Sequence, residues 1–213
     1  YRSSAVNIGF GRGHNNNLLV NSIPANAYLI LNPDITLSSL AIESLYQRLL
    51  SSEETFLVAP KLLYPSNDVQ YTCRLLPTLL SILKRRLFYT HFYNSYLDEC
   101  KFTNYNKVLS PPFIHGACYM IKSNIFKSVN GFDERFFLYM EDVDLYRRIN
   151  KNNNALFIPN IEAKHVYGRG SRKNVKLFFL HLISLVKYFN KWNWILDKER
   201  DIINKKFLEK NNL

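Results

Sequence analysis

Gly131-Phe132-Asp133-Glu134-Arg135-Phe136-Phe137-Leu138-Tyr139-Met140-Glu141-Asp142-Val143-Asp144-Leu145-Tyr146-Arg147-Arg148 is the most informative stretch of the sequence. Within it, acidic residues lie among aromatic and aliphatic ones. Burying a carboxylate beside apolar rings is costly unless it is paired, bound to a metal or used as a proton acceptor. The stretch therefore indicates a functional site and not only a hydrophobic core.

Two further polar residues follow apolar runs. Ala27–Leu31 reads as a buried strand, and Pro33 leaves Asp34 in the loop that follows it. His165 follows the apolar run Ala155–Ile158 in the same way. Carboxylates and an imidazole after strands, together with the acidic stretch, indicate a metal-assisted transfer enzyme.

The hydrophobic periodicity predicts strands that alternate with helices. The predicted strands are Ala27–Leu31, Phe56–Ala59 ended by Pro60, Val69–Arg74, Phe113–Ile121 broken at Gly116, and Ala155–Ile158 before Pro159. The predicted helices are Ser38–Leu50, Ser123–Val129 capped by Ser123, Glu141–Asn150, and most of Asn174–Lys210. This alternation is typical of a layered α/β domain, in which ligands bind beyond the carboxyl ends of the strands.

The helix predicted from Glu141 separates its three acidic residues. Neighbouring helical positions point about 100° apart, so Glu141, Asp142 and Asp144 do not all serve one centre. Asp144 is spaced to pair with Arg147 or Arg148, which leaves Asp142 to face a pocket. The alternative is a charged helix start whose carboxylates only form salt bridges and match the helix dipole.

Structural alternatives remain open for the other polar residues. Asp34 follows Asn-Pro, which is good turn chemistry, and a lone histidine such as His165 is more often structural than a ligand. Arg169, Arg172 and Lys173 lie among glycines and a serine, which favours a cationic loop that closes over phosphates. An ordinary basic surface loop explains the same residues.

Composition narrows the class of protein. The 213 residues carry a net charge of +11, which favours an anionic partner such as nucleotide phosphates or an acidic membrane surface. Nucleic acid is not an expected partner, because no helix-turn-helix, zinc-finger or RNP pattern is present. The glycines near residue 10 follow no strand, which excludes a dinucleotide-binding motif. Scattered cysteines and the absence of a long apolar run favour a reducing, cytoplasmic location.

The motifs, in this order, resemble the family 2 glycosyltransferases with the GT-A fold, most closely their rhamnosyltransferase-like branch. The resemblance covers about residues 7–175. Its parts are Asn7-Ile8-Gly9-Phe10 with Gly13 and Asn15, Leu31-Asn32-Pro33-Asp34, Pro60-Lys61-Leu62, His115-Gly116-Ala117, the block from Gly131 to Leu145, and His165 with Gly168 and Ser171. The block from Gly131 is the most specific of them.

The resemblance implies a fold, a reaction and a site. It implies a mixed sheet flanked by helices and inverting transfer of a sugar, with rhamnose as one option, from a nucleotide-sugar donor to a saccharide or lipid-linked acceptor. Asp34 and His165 would hold Mg²⁺ or Mn²⁺, the imidazole favouring Mn²⁺. Asp142 would be the general base. The residues implied in donor or acceptor binding are Asn7, Gly13, Asn32, His115, Gly116, Ala117, Glu141, Arg169 and Arg172.

The resemblance also divides the chain. Residues 1–173 are expected to form the GT-A-like domain and residues 174–213 a basic, aromatic helical extension. Relatives begin with a base-binding strand that has no counterpart before Asn7, so an N-terminally incomplete domain is expected. A catalytically silent remnant, or a module that binds a membrane or a partner, is the alternative function.

Two segments combine apolar residues with basic ones. The first surrounds Lys84-Arg85-Arg86. The second runs from Phe178 through Trp192 and Trp194, with lysines interspersed. Such segments suit helices that lie in a membrane interface, here on the inner face of the membrane. Packing on the catalytic domain or on a second subunit is the alternative.

Overall fold

The computed structural model describes residues 4–19, 24–87, 99–101, 103–149, 154–166 and 174–212. A mixed sheet forms their centre. Its strands are β1 (Ala27–Leu31), β2 (Ile35–Thr36), β3 (Thr55–Leu63), β4 (Val69–Gln70), β7 (Cys118–Lys122) and β8 (Asn154–His165), and β5 (Cys73–Arg74) pairs separately with β6 (Phe113–Ile114). The predicted mixed α/β class is confirmed.

The strand order brings remote parts of the chain to one edge. The order is β1-β7-β3-β8-β2, with β4 on β3. Among the described strands, only β3 and β8 pair in parallel, and β7 runs antiparallel to both β1 and β3. The carboxyl ends of β1, β3 and β8 therefore meet the amino end of β7. Asp34, Gly116 and His165 all lie at this edge.

Helices cover the sheet. They are α1 (Phe10–Leu18), α2 (Ser39–Leu50), α3 (Leu79–Leu87), α4 (Ser123–Ser128), α5 (Glu141–Ile149), α6 (Val175–Trp192) and α7 (Lys198–Lys210). The N-cap of α2 is Ser38, whose hydroxyl accepts a hydrogen bond from the Ala41 amide. Ala41, Leu45 and Leu49 are the buried residues of this helix, and they follow its 3.6-residue period.

Two prolines do not end their strands as predicted. Pro60 lies inside β3 and Pro159 inside β8, and the two strands shift register at this point. Pro60 pairs with Ile158, and the next pair is Lys61 with Glu162. A proline has no backbone N–H to donate to a neighbouring strand. Where the pairing of β3 and β8 is irregular, no such hydrogen bond is required, so the prolines are tolerated there. The strands resume beyond it, which extends β8 as far as His165.

Other predicted boundaries also change. Phe113–Ile121 is not one strand, because residues 115–117 turn the chain between β6 and β7. Lys122, not Ser123, is the N-cap of α4, and the Ser123 hydroxyl donates to the Ala25 carbonyl. Residues 69–74 form two short strands with different partners. The segment from 174 is mostly helical, as predicted, but is divided between α6 and α7.

The glycine- and asparagine-rich N-terminal segment forms α1, which the sequence analysis did not predict. The helix packs closely on the acidic stretch. A Cβ at Gly9 would lie 2.5 Å from the Phe137 carbonyl oxygen, and one at Gly11 would lie 2.9 Å from the Phe132 Cβ. Asn15 donates to the Phe132 carbonyl at 2.8 Å and accepts from its amide at 2.9 Å. The glycines therefore allow the N-terminal segment to lie close to the acidic stretch, and the hydrogen bonds of the buried Asn15 side chain stabilise this contact.

The C-terminal helices also contact the acidic stretch. The Ser184 hydroxyl in α6 donates to the Leu138 carbonyl at 2.8 Å, and Lys187 donates to the Arg135 carbonyl at 2.6 Å. In the part of the chain described, no helix is both long and apolar enough to cross a bilayer. The division at residue 173 remains a prediction.

Candidate active site

The turn after β1 places Asp34 beside His165. The Asn32 amide donates to the Ala117 carbonyl at 2.9 Å, and the Ile35 amide donates back to Asn32 at 3.2 Å. β2 then pairs with the end of β8, with Ile35 opposite His165. As a result, Asp34 Oδ1 lies 3.3 Å from His165 Nε2. The expected proximity of these two residues is confirmed.

Gln70 fixes the orientation of the His165 ring. The Gln70 side-chain amide donates to the His165 carbonyl at 2.8 Å, which directs its oxygen to His165 Nδ1, also at 2.8 Å. Nδ1 therefore carries a hydrogen and donates it. Burial lowers the pKa of His165, and the Asp34 carboxylate opposes that effect. Gln70 lies in β4, and no motif in the sequence pointed to it.

This pair fits a divalent cation. With Nδ1 held by Gln70, His165 turns Nε2 to the Asp34 carboxylate: a protonated Nε2 forms an ion pair with it, and an unprotonated one offers a cation two electron-pair donors. A carboxylate oxygen and an imidazole nitrogen are a donor set that Mn²⁺ accepts well and Mg²⁺ less readily. Among the described residues, no group of three or more His, Cys, Asp or Glu side chains converges on one point. Such a cation would therefore keep positions for substrate oxygens or water.

Asp142 lies at the amino end of α5 and faces the turn before β7. Its Oδ2 accepts a hydrogen bond from the Gly116 amide at 2.9 Å, and its Oδ1 accepts from the Val143 amide at 2.8 Å. A Cβ at Gly116 would lie 2.8 Å from the Asp142 Cβ. The absence of a side chain at residue 116 thus lets the carboxylate approach the backbone. Asp142 is half-buried and binds no basic side chain of the described chain.

Glu141 differs from Asp142 although the two are adjacent. It is 6% exposed, and its Oε2 has no hydrogen-bond partner among the described residues. Burial, reinforced by the Asp142 charge, raises the pKa of Glu141 to about 8. The Glu141 carboxyl is therefore largely neutral at pH 7 and offers a proton donor. Nearby, burial raises the pKa of Tyr119, and the Asp142 carboxylate adds to this effect.

Asp144 has a structural role, as predicted from its spacing. It is fully buried and accepts from Arg148 Nε at 2.7 Å. Lys191 and the Trp192 indole, both from α6, also donate to it, at 2.6 and 2.8 Å. Arg147, the other predicted partner, instead binds Asp197. These contacts fix the position of α5. They leave Asp142 as the carboxylate of this helix that faces Gly116 at the edge of the sheet.

The residues before α5 adopt an unusual backbone. Tyr139 and Met140 have φ angles of 69° and 68°. This region is unfavourable for side chains larger than glycine, and each such residue costs of order 1–3 kcal/mol. The surrounding packing maintains the turn, which directs the first turn of α5 toward Gly116.

The other predicted ligand-binding residues are distributed around this edge. Ala117 and His115 flank Gly116, the Ala117 amide donates to the His115 carbonyl at 2.9 Å, and the His115 amide donates to Thr72. Asn32 links the Asp34 turn to Ala117, so the two acidic residues are joined by a short series of backbone contacts.

Two of the remaining predicted residues belong to the N-terminal segment. The Asn7 side chain accepts from the Gly9 amide, and Gly13 lies within α1 with open space where a Cβ would be. Arg169 and Arg172 lie outside the described residues. A role for any of these four in ligand binding stays a prediction.

Comparisons with known proteins show what the chain is similar to. Residues 99–169 match the family described as the N-terminal domain of galactosyltransferase. Two N-acetylglucosaminyl-diphospho-decaprenol L-rhamnosyltransferases, from two strains of Mycobacterium tuberculosis, are each 41% identical over 54 residues. That match spans 25% of this chain and only 18% of each relative.

A solved structure is similar over nearly the whole chain. The crystal structure of GalNAc-T7 with UDP, GalNAc and Mn²⁺ superposes with a TM-score of 0.57 at 12% identity. The superposition covers 98% of this chain and 42% of that one. At this identity it establishes the fold, which is the GT-A fold expected from the motifs. The family match and the rhamnosyltransferase relatives are consistent with this fold and make the chain similar to glycosyltransferases.

Proposed function

We propose that this glycosyltransferase transfers a sugar, with inversion, from a nucleotide-sugar donor to a saccharide or lipid-linked acceptor. Activated rhamnose is the first donor to test, because the Mycobacterium relatives are named L-rhamnosyltransferases. Their names also contain a diphospho-decaprenol, which favours a lipid-linked acceptor and a place in cell-surface polysaccharide synthesis. The expected location is cytoplasmic.

One observation carries the proposal. A half-exposed carboxylate, Asp142, has no basic partner among the described residues and lies at the same sheet edge as the Asp34–His165 pair. The Asn32–Ala117 hydrogen bond connects the two groups. A proton acceptor beside a site suited to a diphosphate-bound cation is the arrangement that glycosyl transfer requires.

The chemistry assigns each group a task. Asp142 accepts the proton of the acceptor hydroxyl as the acceptor oxygen bonds to the anomeric carbon. The bond from that carbon to the diphosphate oxygen breaks, and its electron pair leaves with the nucleoside diphosphate. The attack comes from the face opposite the leaving group, so the anomeric configuration inverts. The Gly116 amide holds Asp142 Oδ2, which orients the base.

Asp34 and His165 would hold Mn²⁺ or Mg²⁺. When bound, the cation neutralises negative charge on the departing diphosphate. Gln70 keeps His165 Nε2 directed to the site, and such supporting contacts are worth about 10–100-fold in metal affinity. The structure of GalNAc-T7 contains both UDP and Mn²⁺, which supports a divalent cation here by analogy of fold.

A panel of nucleoside diphosphate sugars, with Mn²⁺ or Mg²⁺, tests the proposal by release of the nucleoside diphosphate. We expect release with one or a few donors and its loss with a chelator. The alternative is a catalytically silent protein that binds a membrane or a partner. That alternative is favoured if every donor binds without turnover, or if none binds.

A further inference from the structure

The outward face of α6 is apolar along most of the helix. Its members lie at helical spacing and are 40–72% exposed. They are Val175, Phe179, Leu182, Ile183 and Val186, which we call the outer α6 face. The opposite side of the helix buries Ser184, Leu185, Tyr188 and Phe189. Leu185 and Phe189, which belong to the segment expected at a membrane interface, are therefore used for packing.

Charge distinguishes this face from an ordinary hydrophobic patch. The 18 residues of α6 contain three lysines and no carboxylate. Lys176 and Lys187 are exposed and eleven positions apart, which places both on one flank of the face, and Lys187 also donates to the Arg135 carbonyl. Long lysine side chains can lie along apolar surface while their ammonium groups reach anionic headgroups.

A tryptophan extends the face at its carboxyl end. The Trp194 indole donates to the Asn190 side chain at 2.8 Å, and Asn190 continues the exposed side of α6. Trp194 is 37% exposed, and its ring stacks on Phe189 with centroids 5.2 Å apart. Tryptophans with one polar edge are favoured where hydrocarbon meets water.

We propose that the outer α6 face binds the surface of a bilayer that contains anionic lipids. A helix with a continuous apolar side, one basic flank and no acid is complementary to such a surface. The inference deepens the proposed function, since a lipid-linked acceptor would be presented from the same bilayer. Ser184 and Lys191 join α6 to the acidic stretch, so binding there would hold Asp142 at a fixed position over the membrane.

Vesicle flotation with the full chain tests the proposal, comparing phosphatidylcholine alone with phosphatidylcholine containing one third phosphatidylglycerol. We expect at least tenfold stronger partitioning to the anionic vesicles, weakened by salt. Phe179→Ser with Ile183→Ser should reduce partitioning at least tenfold, and Lys176→Glu roughly tenfold. The matched control, Leu40→Ser with Ile42→Ser, changes two exposed residues of α2 and should leave partitioning unchanged.

Tryptophan emission gives an independent readout, because the chain has two tryptophans, Trp192 and Trp194. Vesicle binding should shift the emission to shorter wavelength, and Trp194→Phe should remove most of the shift. Equal loss in the α2 control, or no binding to anionic vesicles, overturns the proposal. The proposal is also overturned if the chain is a dimer without lipid and the Phe179 and Ile183 substitutions convert it to a monomer. The outer α6 face would then bind a second copy of the chain and not a bilayer.

These vesicles contain neither donor nor acceptor. Failure to bind them therefore leaves sugar transfer to a soluble acceptor untouched. A chain that binds them but transfers no sugar contradicts only the proposed function.

Discussion

Replacing Gly116 by alanine tests the contact that orients Asp142. The φ angle of Gly116 is outside the left-handed region, so alanine can adopt the backbone conformation. Its Cβ would lie 2.8 Å from the Asp142 Cβ and 3.0 Å from Oδ2. The substitution therefore acts mainly on the position of the carboxylate.

The magnitude follows from these distances. Ordinary contacts begin near 3.4 Å, so the Asp142 side chain must retreat by about 0.6 Å. A 1 Å misplacement of a reacting group costs up to about 100-fold in rate. We expect turnover to fall roughly 10- to 100-fold. Stability should change by less than about 2 kcal/mol, because crowding at a half-exposed side chain is offset by the lower unfolded-state entropy of alanine.

The assay is nucleoside diphosphate release at saturating donor and acceptor, with thermal unfolding measured alongside. Asp142→Asn serves as the second arm of a double-mutant cycle. If Gly116 acts through the Asp142 carboxylate, Gly116→Ala should cost less than about threefold in the Asp142→Asn background. An unchanged rate in the single variant, or the same loss in both backgrounds, would refute the reasoning.

Three further predictions concern the cation pair and the buried carboxyl. Asp34→Ala should abolish the Mn²⁺ dependence of nucleoside diphosphate binding in calorimetry while the unfolding temperature is kept; unchanged metal-dependent binding contradicts the assignment. Gln70→Leu should weaken Mn²⁺ binding about 10–100-fold by releasing the ring of His165, and an unaltered affinity makes Gln70 purely structural. The Glu141→Gln variant should have the same free energy of unfolding as the parent near pH 4 and a higher one near pH 8. If the two proteins instead show parallel curves of unfolding free energy against pH, Glu141 is ionised in the folded state.

The sign of the Glu141 prediction follows from its raised pKa. The folded protein keeps the proton up to about pH 8, whereas the unfolded chain releases it above its ordinary value of 4.5. This group therefore contributes most stability below pH 4.5, and the contribution is lost as the pH rises toward 8. The loss is a few kcal/mol at most, at about 1.4 kcal/mol per pH unit. Glutamine cannot ionise and removes the slope.

Local patterns were sufficient for several elements and one ion pair. Ala27–Leu31 has the predicted bounds because a short, continuous apolar run between polar residues fits only a buried strand in this context. Asp144 binds Arg148 because residues four apart meet on a helix surface. Asp34 and His165 each follow a predicted strand in the sequence. This was sufficient to expect both residues at the same edge of the sheet.

Long-range pairing was beyond those patterns. Gln70 reaches His165 across 95 positions because of strand register, which periodicity does not contain. Arg147 has an acidic residue three positions away but binds Asp197, which α7 brings to it. Pro60 was expected to end its strand, because the sequence does not show that the facing strand β8 is irregular at the same level.

The most direct test of the proposed mechanism is the turnover of Asp142→Asn with a donor on which the parent chain is active. Asparagine has nearly the same shape but cannot accept a proton at neutral pH. The account predicts donor affinity within a few-fold of the parent and a rate reduced about 100-fold or more. A rate close to that of the parent, with the donor bound equally well, would contradict the assignment of Asp142 as the base.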